Sequence, residues 1–216
     1  MEIEVVKQIL EWNENCHKEV QDYLKDKKVF MMNVMGSPGA GKTTLILNLI
    51  KELKKENINV AVIEGDIAGK IDAKKIAKEG IPVVQLNTEG ACHIEAMSIK
   101  NILPKFDLNK LDLIIVENIG NLVCPSEFDI GENIKVALLS IPEGDDKIEK
   151  YPLMFAKANA LILTKYDFKD YFNFDENRIK EQGRAINNKL KIFTVNSKEE
   201  GSLSNFKKWL INKMKG

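Results

Sequence analysis

A glycine-rich octapeptide lies between a strand-like apolar run and an amphipathic helical pattern, and this context most constrains the fold. Its residues match the pattern G-x-x-x-x-G-K-[ST] in full: Gly36, Ser37, Pro38, Gly39, Ala40, Gly41, Lys42 and Thr43. The apolar run covers residues 30–35 and the helical pattern covers 43–53. Glycines let backbone N–H groups converge on phosphate oxygens, and the helix presents its positive N-terminal end to them. The segment from Gly36 to Thr44 is therefore predicted to bind phosphate, in preference to a glycine-rich turn of no function.

Specific side chains are expected to contact the phosphates and their cation. Lys42 should reach the β- and γ-phosphates as a catalytic residue, and Thr43 should ligate Mg²⁺. Magnesium also takes a carboxylate oxygen, and two acids end or follow strand-like runs, Glu117 and Asp66. Each acid has the alternative role of capping the helix that follows it. Asp66 lies in a stretch able to act as a switch, and Asp66 or Asp72 is expected to position the attacking water.

Seven strand-like runs alternate with helical patterns along the chain. They cover residues 29–35, 60–64, 82–86, 113–117, 135–141, 160–163 and 191–195. The runs 113–116 and 136–139 are continuously apolar, which is typical of strands buried on both faces. The pattern predicts an α/β fold of the P-loop NTPase type, with a mainly parallel, doubly wound sheet flanked by helices. Residues 167–175 are predicted to form a loop, and 201–215 a closing amphipathic helix.

The N-terminal stretch has its own helical periodicity. Apolar residues recur from Ile3 to Leu24 among many charged ones, which predicts an amphipathic helix packed on the domain or on a partner. We therefore predict an N-terminal helix over 1–26 and a P-loop nucleotide-binding domain over 27–216. A chain of 216 residues with 44% hydrophobic residues suits one such domain.

The overall charge and composition exclude several classes of partner. Lys plus Arg and Asp plus Glu number 32 each, so no net field favours nucleic acid or an anionic membrane, and neither is an expected partner. No apolar run reaches the roughly 20 residues that cross a bilayer, and the N-terminus is unlike a signal peptide. Three cysteines cannot form a disulfide framework. We expect a cytoplasmic protein.

A second short motif bears on the choice of base. Thr164-Lys165-Tyr166-Asp167 follows an apolar run where GTP-binding proteins carry N-K-x-D. The carboxylate of Asp167 can accept both the N1–H and the N2–H of guanine, which adenine does not offer. Ser197 and Lys198, after the last strand, are expected in a loop that supports the base. Lys165 and Asp167 therefore favour GTP, with ATP as the alternative, and Thr164 replaces the usual asparagine.

Cys92, His93 and Cys124 form a candidate metal site separate from the magnesium site. Both segments follow strand ends on the side of the sheet where the nucleotide is expected. Sulfur and imidazole ligands select Zn²⁺ or Ni²⁺ over Mg²⁺. Three ligands leave the coordination incomplete, and water or a second chain related by a two-fold axis can complete it. The alternative is two buried structural cysteines and a surface histidine.

Five segments together resemble the HypB family of GTPases, which assist nickel insertion into [NiFe]-hydrogenase. They are the P-loop, Glu64-Gly65-Asp66, Asn87-Thr88-Glu89-Gly90-Ala91-Cys92-His93, Glu117-Asn118-Ile119-Gly120-Asn121-Leu122-Val123-Cys124-Pro125 and Glu143-Gly144-Asp145-Asp146-Lys147. The resemblance implies slow hydrolysis of GTP to GDP, GTP-dependent homodimers, and a Ni²⁺ or Zn²⁺ site built by Cys92, His93 and Cys124 at the subunit interface. It also implies that Asp66 and Glu117 serve the Mg²⁺ and switch region.

The resemblance carries further expectations about partners. Lys147 is implied to act near the subunit contact, and a second nickel-insertion accessory protein and the hydrogenase large subunit are implied partners. Two features common in the family do not occur in this sequence, a cysteine-rich N-terminal motif and a histidine-rich stretch, since the chain has two histidines. Nickel storage is therefore not expected.

Three other functions remain as alternatives. A urease-type nickel maturation GTPase would differ only in its client. A small-molecule kinase would use the P-loop to phosphorylate an acceptor, but such enzymes usually carry an arginine-rich lid, and Arg178 and Arg184 are the only arginines. A nucleotide-binding module without turnover is the third alternative.

Overall fold

Seven parallel strands form the centre of the molecule. The computed structural model describes residues 2–66, 71–87 and 90–216, and it describes side chains from residue 13 onward apart from 66, 71, 72 and 74. The strands are β1 Phe30–Met35, β2 Val60–Asp66, β3 Val83–Asn87, β4 Leu113–Glu117, β5 Ile134–Ser140, β6 Ala160–Thr164 and β7 Lys191–Thr194. They pair in the order β3-β2-β4-β1-β5-β6-β7, with every pairing parallel. The predicted parallel α/β sheet is confirmed, with strand ends shifted by one or two residues.

Helices connect the strands and cover both faces of the sheet. They are α1 Glu2–Lys27, α2 Lys42–Lys55, α3 Ile71–Ala77, α4 Ala96–Ile102, α5 Cys124–Glu127, α6 Lys147–Lys150, α7 Pro152–Lys157, α8 Glu176–Ile186 and α9 Ser204–Met214. On one face, α2 and α9 bury Leu49 and Leu210 against Val34 and Ile115. The other face is covered by α1 and α4 over β2 and β4, and by α7 and α8 over β5 and β6. Burial on both faces explains why β4 and β5 are apolar throughout.

The helix α1 packs directly on the domain. Cys16, Val20 and Leu24 are buried at helical spacing, and Val20 and Leu24 share a core cluster with Ile114 of β4. The helix ends at Lys27, one residue beyond the predicted boundary. The division into a helix over 1–26 and a domain over 27–216 stays a prediction. No helix in the described ranges is long and apolar enough to span a bilayer.

Two local predictions were wrong in detail. Residues 167–175, predicted as a loop, include most of a 3₁₀ helix over Tyr166–Tyr171, which begins where Phe168 N–H donates to the carbonyl of Lys165 at 3.0 Å. The last helix begins at Ser204 and not at 201, because Gly201 adopts a φ of 82° in the preceding turn.

Candidate functional site

The P-loop connects the central strand β1 to α2. Gly41 has a φ of 92°, in the left-handed region that favours glycine, and α2 begins at the next residue, Lys42. The Lys42 ammonium folds back over the loop and donates to the carbonyls of Gly36 and Ser37, both at 3.1 Å. Its side chain is therefore held at the mouth of the loop, where the helix N-terminus favours an anion.

Thr43 and Glu117, two of the residues predicted to ligate magnesium, are in direct contact. The Thr43 hydroxyl donates to Glu117 Oε1 at 2.7 Å. The contact arises because β1 and β4 are adjacent and pair Val34 with Glu117, so both strands end at the same edge. A hydroxyl and a carboxylate beside a phosphate loop are the hard oxygen ligands that Mg²⁺ takes together with water. Asp66 ends β2 at this edge, but its side chain and that of Asp72 lie outside the described residues, so their roles stay predictions.

A cavity of about 510 Å³ opens at this edge of the sheet. The P-loop and the first turn of α2 line it with Pro38, Gly39, Gly41, Lys42, Thr43 and Thr44. The other strands contribute Glu64, Gly65, Lys75, Glu117, Asn118, Ile119, Gly120 and Lys165. Most of the predicted phosphate and magnesium residues therefore share one cavity.

Several lining residues were missed by the sequence analysis. Glu64 is a buried carboxylate that directly follows four apolar residues of β2, and that contrast was a readable signal. Gly120 lies so close to the P-loop that a Cβ there would be 2.8 Å from the backbone nitrogen of Pro38. No sequence pattern marks Lys75 as a cavity residue, because the position of α3 beside the cavity depends on tertiary structure.

The remaining P-loop residues brace the loop. Ser37 donates to Glu143, whose other carboxylate oxygen accepts from the Ser140 backbone N–H at 2.8 Å and hydroxyl at 2.6 Å. The Ala40 carbonyl accepts from the Thr164 hydroxyl at 2.6 Å. The threonine that replaces asparagine in the base motif therefore still joins β6 to the P-loop.

The predicted base-binding residues gather on the β6 and β7 side of the cavity. Lys165, with a φ of 52°, lines the main cavity. Asp167 pairs with Lys198 at 2.9 Å, and the Lys198 ammonium also lies 5.3 Å from the centre of the Phe168 ring. Ser197 and Lys198 line a neighbouring cavity of about 290 Å³. Asp167, Ser197 and Lys198 are thus beside the main cavity and not among the residues that line it.

A partly buried carboxylate binds the 3₁₀ helix that carries Asp167. Glu176 accepts hydrogen bonds from the Tyr166 hydroxyl at 2.6 Å and from Lys169 at 2.8 Å, and it also pairs with Lys180. Burial acts to raise the pKa of Glu176, but the bonds from Lys169, Lys180 and Tyr166 outweigh it and lower the pKa to about 2.

Cys92, His93 and Cys124 converge at the same edge of the sheet. Each offers one ligand atom, and these three atoms lie within 4.8 Å of one another. Cys92 and His93 lie in the segment between β3 and α4, and Cys124 begins α5. A hydrogen bond with the Cys124 thiol, together with burial, raises the pKa of Cys92, while burial lowers the pKa of His93. Two adjoining thiols and a neutral imidazole are the soft donors that Ni²⁺ and Zn²⁺ take.

The His93 ring is held in a fixed orientation. It stacks on Phe128 with a centroid distance of 4.0 Å and an interplanar angle of 15°. Its Nδ1 lies 3.6 Å from the Cys92 sulfur. Its Nε2 is buried and makes no hydrogen bond within the described ranges, with the Glu95 carboxylate 3.8 Å away. A buried nitrogen without a donor or acceptor fits a position that a metal ion would occupy.

Asn121 joins this thiol cluster to the P-loop. Its backbone N–H donates to the Gly36 carbonyl at 3.1 Å, forming an isolated antiparallel bridge. Its side-chain nitrogen donates to the Cys92 carbonyl at 3.4 Å, and its side-chain oxygen accepts from the backbone N–H of Val123 at 2.8 Å. One residue therefore contacts the first P-loop glycine and both segments that carry the sulfur ligands.

The segment between β4 and Asn121 carries a second link. The Asn118 side-chain oxygen accepts from the backbone N–H groups of Ile119 at 2.9 Å and Ile94 at 3.4 Å. Asn118 directly follows Glu117, and Ile94 directly follows His93. The backbone segments next to Glu117 and His93 are thus joined by one buried amide.

Comparison with known proteins identifies the family. Residues 30–194 match the family model described as the CobW/HypB/UreG nucleotide-binding domain. A curated relative, the hydrogenase/urease maturation factor HypB of Helicobacter pylori, is 38% identical over 98% of this chain and 88% of its own length. This chain belongs to the HypB family. The hydrogenase maturation factor HypB of Escherichia coli is 36% identical over 96% of this chain and 71% of its own length.

Solved HypB structures have the same fold. The crystal structure of HypB from Helicobacter pylori in complex with nickel has a TM-score of 0.88, covering 94% of this chain and 95% of that one at 37% identity. HypB from Archaeoglobus fulgidus also has a TM-score of 0.88, covering 95% and 100% at 30% identity. The signal recognition particle receptor FtsY of Elizabethkingia anophelis, with a TM-score of 0.58 and 16% identity, shares the fold alone.

Proposed function

We propose that this chain is a GTP-hydrolysing maturation factor that binds nickel and releases it under the control of the bound nucleotide. The observation that carries the proposal is the position of Asn121, which contacts Gly36 of the P-loop and the Cys92 carbonyl of the thiol cluster. A change in the P-loop segment on nucleotide exchange shifts the groups that orient both thiols. The names of the relatives, which are hydrogenase or urease maturation factors, support the same role.

Hydrolysis in this proposal is transfer of the γ-phosphoryl group of GTP to water. The water oxygen forms a bond to the γ-phosphorus, the bond to the β–γ bridging oxygen breaks, and the water protons pass to phosphate and solvent, leaving GDP and phosphate. Lys42 and the P-loop N–H groups neutralise charge on the phosphate oxygens. Thr43 and Glu117 hold Mg²⁺, which supplies further charge stabilisation when bound. Asp66 remains the proposed residue for the switch segment and the attacking water.

Guanine is the proposed base. The Asp167 carboxylate binds the N1–H and N2–H groups of guanine, and its pairing with Lys198 holds it beside the cavity. Thr164 supports the P-loop from the same motif through its hydrogen bond to the Ala40 carbonyl. Neither contact depends on the asparagine that the motif usually carries.

Nickel is the proposed cargo of the thiol cluster, with Zn²⁺ as a second ion of suitable chemistry. Cys92, His93 and Cys124 supply three ligands, and a second copy of the chain supplies the remaining ones across a two-fold axis. The buried Nε2 of His93 and the adjoining thiols support this assignment. We place the protein in the reducing cytoplasm, where the two thiols remain unoxidised.

An exposed aromatic cluster supports the GTP-dependent homodimer. Phe168, Tyr171 and Phe172 lie together beside the base motif, with centroid distances of 6.3 and 6.5 Å from Phe168, and Tyr171 is 82% exposed. Exposed aromatic side chains in one patch are typical of an association surface. The proposed partners beyond the second copy are another nickel-insertion accessory protein and the hydrogenase large subunit, with a urease subunit as the alternative client.

Measurements of metal affinity test whether the Asn121 contacts couple the thiol cluster to the nucleotide. Ni²⁺ affinity is measured by competition with a chromogenic chelator in two states of the protein. One state contains GDP, and the other contains Mg²⁺ and a non-hydrolysable GTP analogue. We expect affinities that differ at least about fivefold between the two states. The Cys92→Ala, Cys124→Ala double variant should lose binding, while Cys16→Ala, which removes a buried thiol elsewhere, should retain it. Equal affinity in both nucleotide states, or full binding by the double variant, would contradict the proposal.

The client is tested separately. The protein loaded with the GTP analogue is used to capture purified hydrogenase large subunit and urease subunits, and binding is quantified for each. Selective capture of the hydrogenase subunit supports the first assignment, and selective capture of the urease subunit would replace it.

A further inference from the structure

An asparagine lies in the central strand of the sheet among apolar residues. Asn33 is fully buried, and the other residues of β1 are phenylalanine, methionine and valine. A buried amide inside a strand costs free energy unless its oxygen and its nitrogen both find partners. The sequence motifs assign no role to this residue, which lies three positions before Gly36 of the P-loop.

Two buried side chains bind the amide of Asn33. Its Oδ1 accepts a hydrogen bond from Asn118 Nδ2 at 3.1 Å, and its Nδ2 donates to Glu132 Oε1 at 3.0 Å. Asn118 is 1% exposed and Glu132 is 7% exposed, so both bonds are shielded from solvent. Asn33 therefore joins the residue after β4 to a residue just before β5.

The hydrogen bonds of this network run in one direction. Asn118 Oδ1 already accepts from two backbone N–H groups, so its amide nitrogen faces Asn33. The Glu132 carboxylate accepts at both oxygens, from Asn33 and from the Ile130 N–H at 2.8 Å. Each amide thus has one orientation that suits all of its partners. A connected buried network of this kind fixes the segments that it joins.

The segment held in this way carries part of the thiol cluster. Cys124, at the start of α5, lies between Asn118 and Glu132 in the chain. Phe128 lies in the same segment, and its ring stacks on His93 with a centroid distance of 4.0 Å. Asn118 also accepts from the backbone N–H that follows His93, at 3.4 Å. Both segments that supply metal ligands are therefore bonded to Asn33 or to its partner Asn118.

The far end of the segment is also fixed by packing and by charge. Gly131 has a φ of 94°, and a Cβ there would collide with the side chain of Val20 in α1. The Lys135 ammonium lies 3.6 Å from Glu132 Oε1 and also pairs with Asp129. The buried carboxylate at which the network ends thus has a cation beside it.

We propose that Asn33 is a positioning residue for the thiol cluster. Its amide holds both ends of the segment 118–132 and thereby sets where Cys124 meets Cys92. Without the amide, Asn118 loses an acceptor and Glu132 loses a donor, so the arrangement in which the three ligand atoms lie within 4.8 Å of one another is no longer held. The inference rests on the proposed nickel binding, and it assigns control of metal affinity to a residue inside the central strand.

Two substitutions in the network and one matched control test the assignment. Asn33→Val removes the amide and keeps a side chain that suits a strand. Glu132→Gln keeps the shape but offers one oxygen to two donors that now bond separate oxygens. Asn187→Ala is the control, because this amide lies at the end of α8, outside the network, and donates to the carbonyls of residues 156 and 158.

Two affinities and the stability are measured for each variant. Ni²⁺ affinity is obtained by chelator competition with GDP bound, and urea unfolding gives the stability. Phenylarsine oxide supplies a readout without nickel, because its arsenic binds two adjacent thiols while its oxygen leaves as water. Its affinity is measured against a competing dithiol. Cys92→Ala and Cys124→Ala should each abolish capture of the arsenical, which identifies the two thiols that bind it.

The proposal predicts losses of affinity that stability does not explain. Asn33→Val should lower the affinities for Ni²⁺ and for phenylarsine oxide about tenfold or more. Glu132→Gln should give a smaller loss of both. The double variant should lose no more than Asn33→Val alone, since the two residues belong to one chain of bonds. Asn187→Ala should lower the unfolding free energy while both affinities stay within about twofold.

Three results would overturn the proposal. They are unchanged affinities in folded Asn33→Val, equal losses in Asn187→Ala, and a double variant whose loss in free energy is the sum of the two single losses. If Asn33→Val does not fold, Glu132→Gln decides, and unchanged affinities in that variant would reject the role. If the unsubstituted protein captures the arsenical but binds no Ni²⁺, the proposed nickel function fails, and the arsenical affinities still decide whether Asn33 positions the thiols.

Discussion

Asn121 donates its backbone N–H to the carbonyl oxygen of Gly36 over 3.1 Å, which ties the loop after β4 to the start of the P-loop. The side chain of the same asparagine reaches the Cys92 carbonyl at 3.4 Å. Two hydrogen bonds of one residue therefore connect Gly36 to the backbone of a predicted metal ligand. Linkage between two ligands is reciprocal, so a nucleotide that changes the affinity for the metal ion has its own affinity changed by the same factor when the metal ion binds.

Asn121→Ala should uncouple nickel affinity from the nucleotide. The backbone bond to Gly36 remains, but the side-chain bonds to Cys92 and Val123 are lost. We expect the ratio of Ni²⁺ affinities in the GDP and GTPγS states to fall below about twofold, from about fivefold or more. Chelator competition measures the ratio, and exposed Asn109→Ala is the control. An unchanged ratio would show that the coupling follows another route.

Thr164→Val should weaken nucleotide binding through the P-loop while leaving Asp167 unchanged. Valine keeps the shape of threonine but cannot donate to the Ala40 carbonyl, so a buried acceptor loses its partner. We expect a loss of about 1 kcal/mol in unfolding free energy and GTPγS affinity lowered about threefold to tenfold. Chemical denaturation and fluorescence titration give the two values. Thr194→Val, at the exposed end of β7, should leave both unchanged.

Asp167→Asn should change the base preference. An asparagine accepts one hydrogen bond and donates another, which suits xanthine better than guanine. We expect GTP affinity to fall about tenfold or more and XTP affinity to rise, since each bond to the charged carboxylate contributes roughly 1.5–3 kcal/mol. Competition titrations with GTP, XTP and ATP measure the change, and exposed Asp170→Asn is the control. Retained GTP preference would remove Asp167 from the base site.

The ion pairs of Glu176 should make the free energy of unfolding depend on pH in the acid range. Its pKa in the folded protein is about 2, below the ordinary value of 4.5, so the stabilisation is present above pH 4.5 and is lost as pH falls towards 2. We expect a contribution of about 1–2 kcal/mol at neutral pH, reduced from the full shift because solvent screens part of it.

The Glu176→Gln variant isolates this contribution. Urea unfolding at pH 7 should show the loss of about 1–2 kcal/mol, and the difference from the unsubstituted protein should shrink as pH falls from 4.5 towards 2. Glu181→Gln, exposed on the same helix, is the matched control. A difference that persists at the lowest pH would mean that charge is not the cause.

Tyr171→Ser should weaken the GTP-dependent dimer. Tyr171 is 82% exposed beside the base motif, and burial of an aromatic ring at an interface commonly contributes more than 1 kcal/mol. We expect the dimer dissociation constant in GTPγS to rise about tenfold, measured by analytical ultracentrifugation. Ile186→Ser is the control, because Ile186 is also an exposed apolar residue but lies at the end of α8 and outside the aromatic cluster. Equal weakening by both variants would contradict a specific role.

Local sequence was sufficient to predict the seven strands and the position of the P-loop. The glycines and Lys42 of the P-loop act through backbone geometry and a helix N-terminus, which depend on neighbours within a few residues. The seven strands were likewise readable, because burial on both faces leaves continuous apolar runs. The 3₁₀ helix at Tyr166–Tyr171 was missed because six residues are too few to show a helical period.

Distances between segments could be decided only by the tertiary structure. The pattern of the chain left open whether Cys92, His93 and Cys124 were ligands or isolated side chains, and the sheet order brings their ligand atoms within 4.8 Å. The same holds for Thr43 with Glu117 and for Lys75 in the nucleotide cavity. The physical reason is that sequence motifs record local backbone chemistry, whereas these contacts depend on the pairing of β1 with β4 and the packing of α3 on the core.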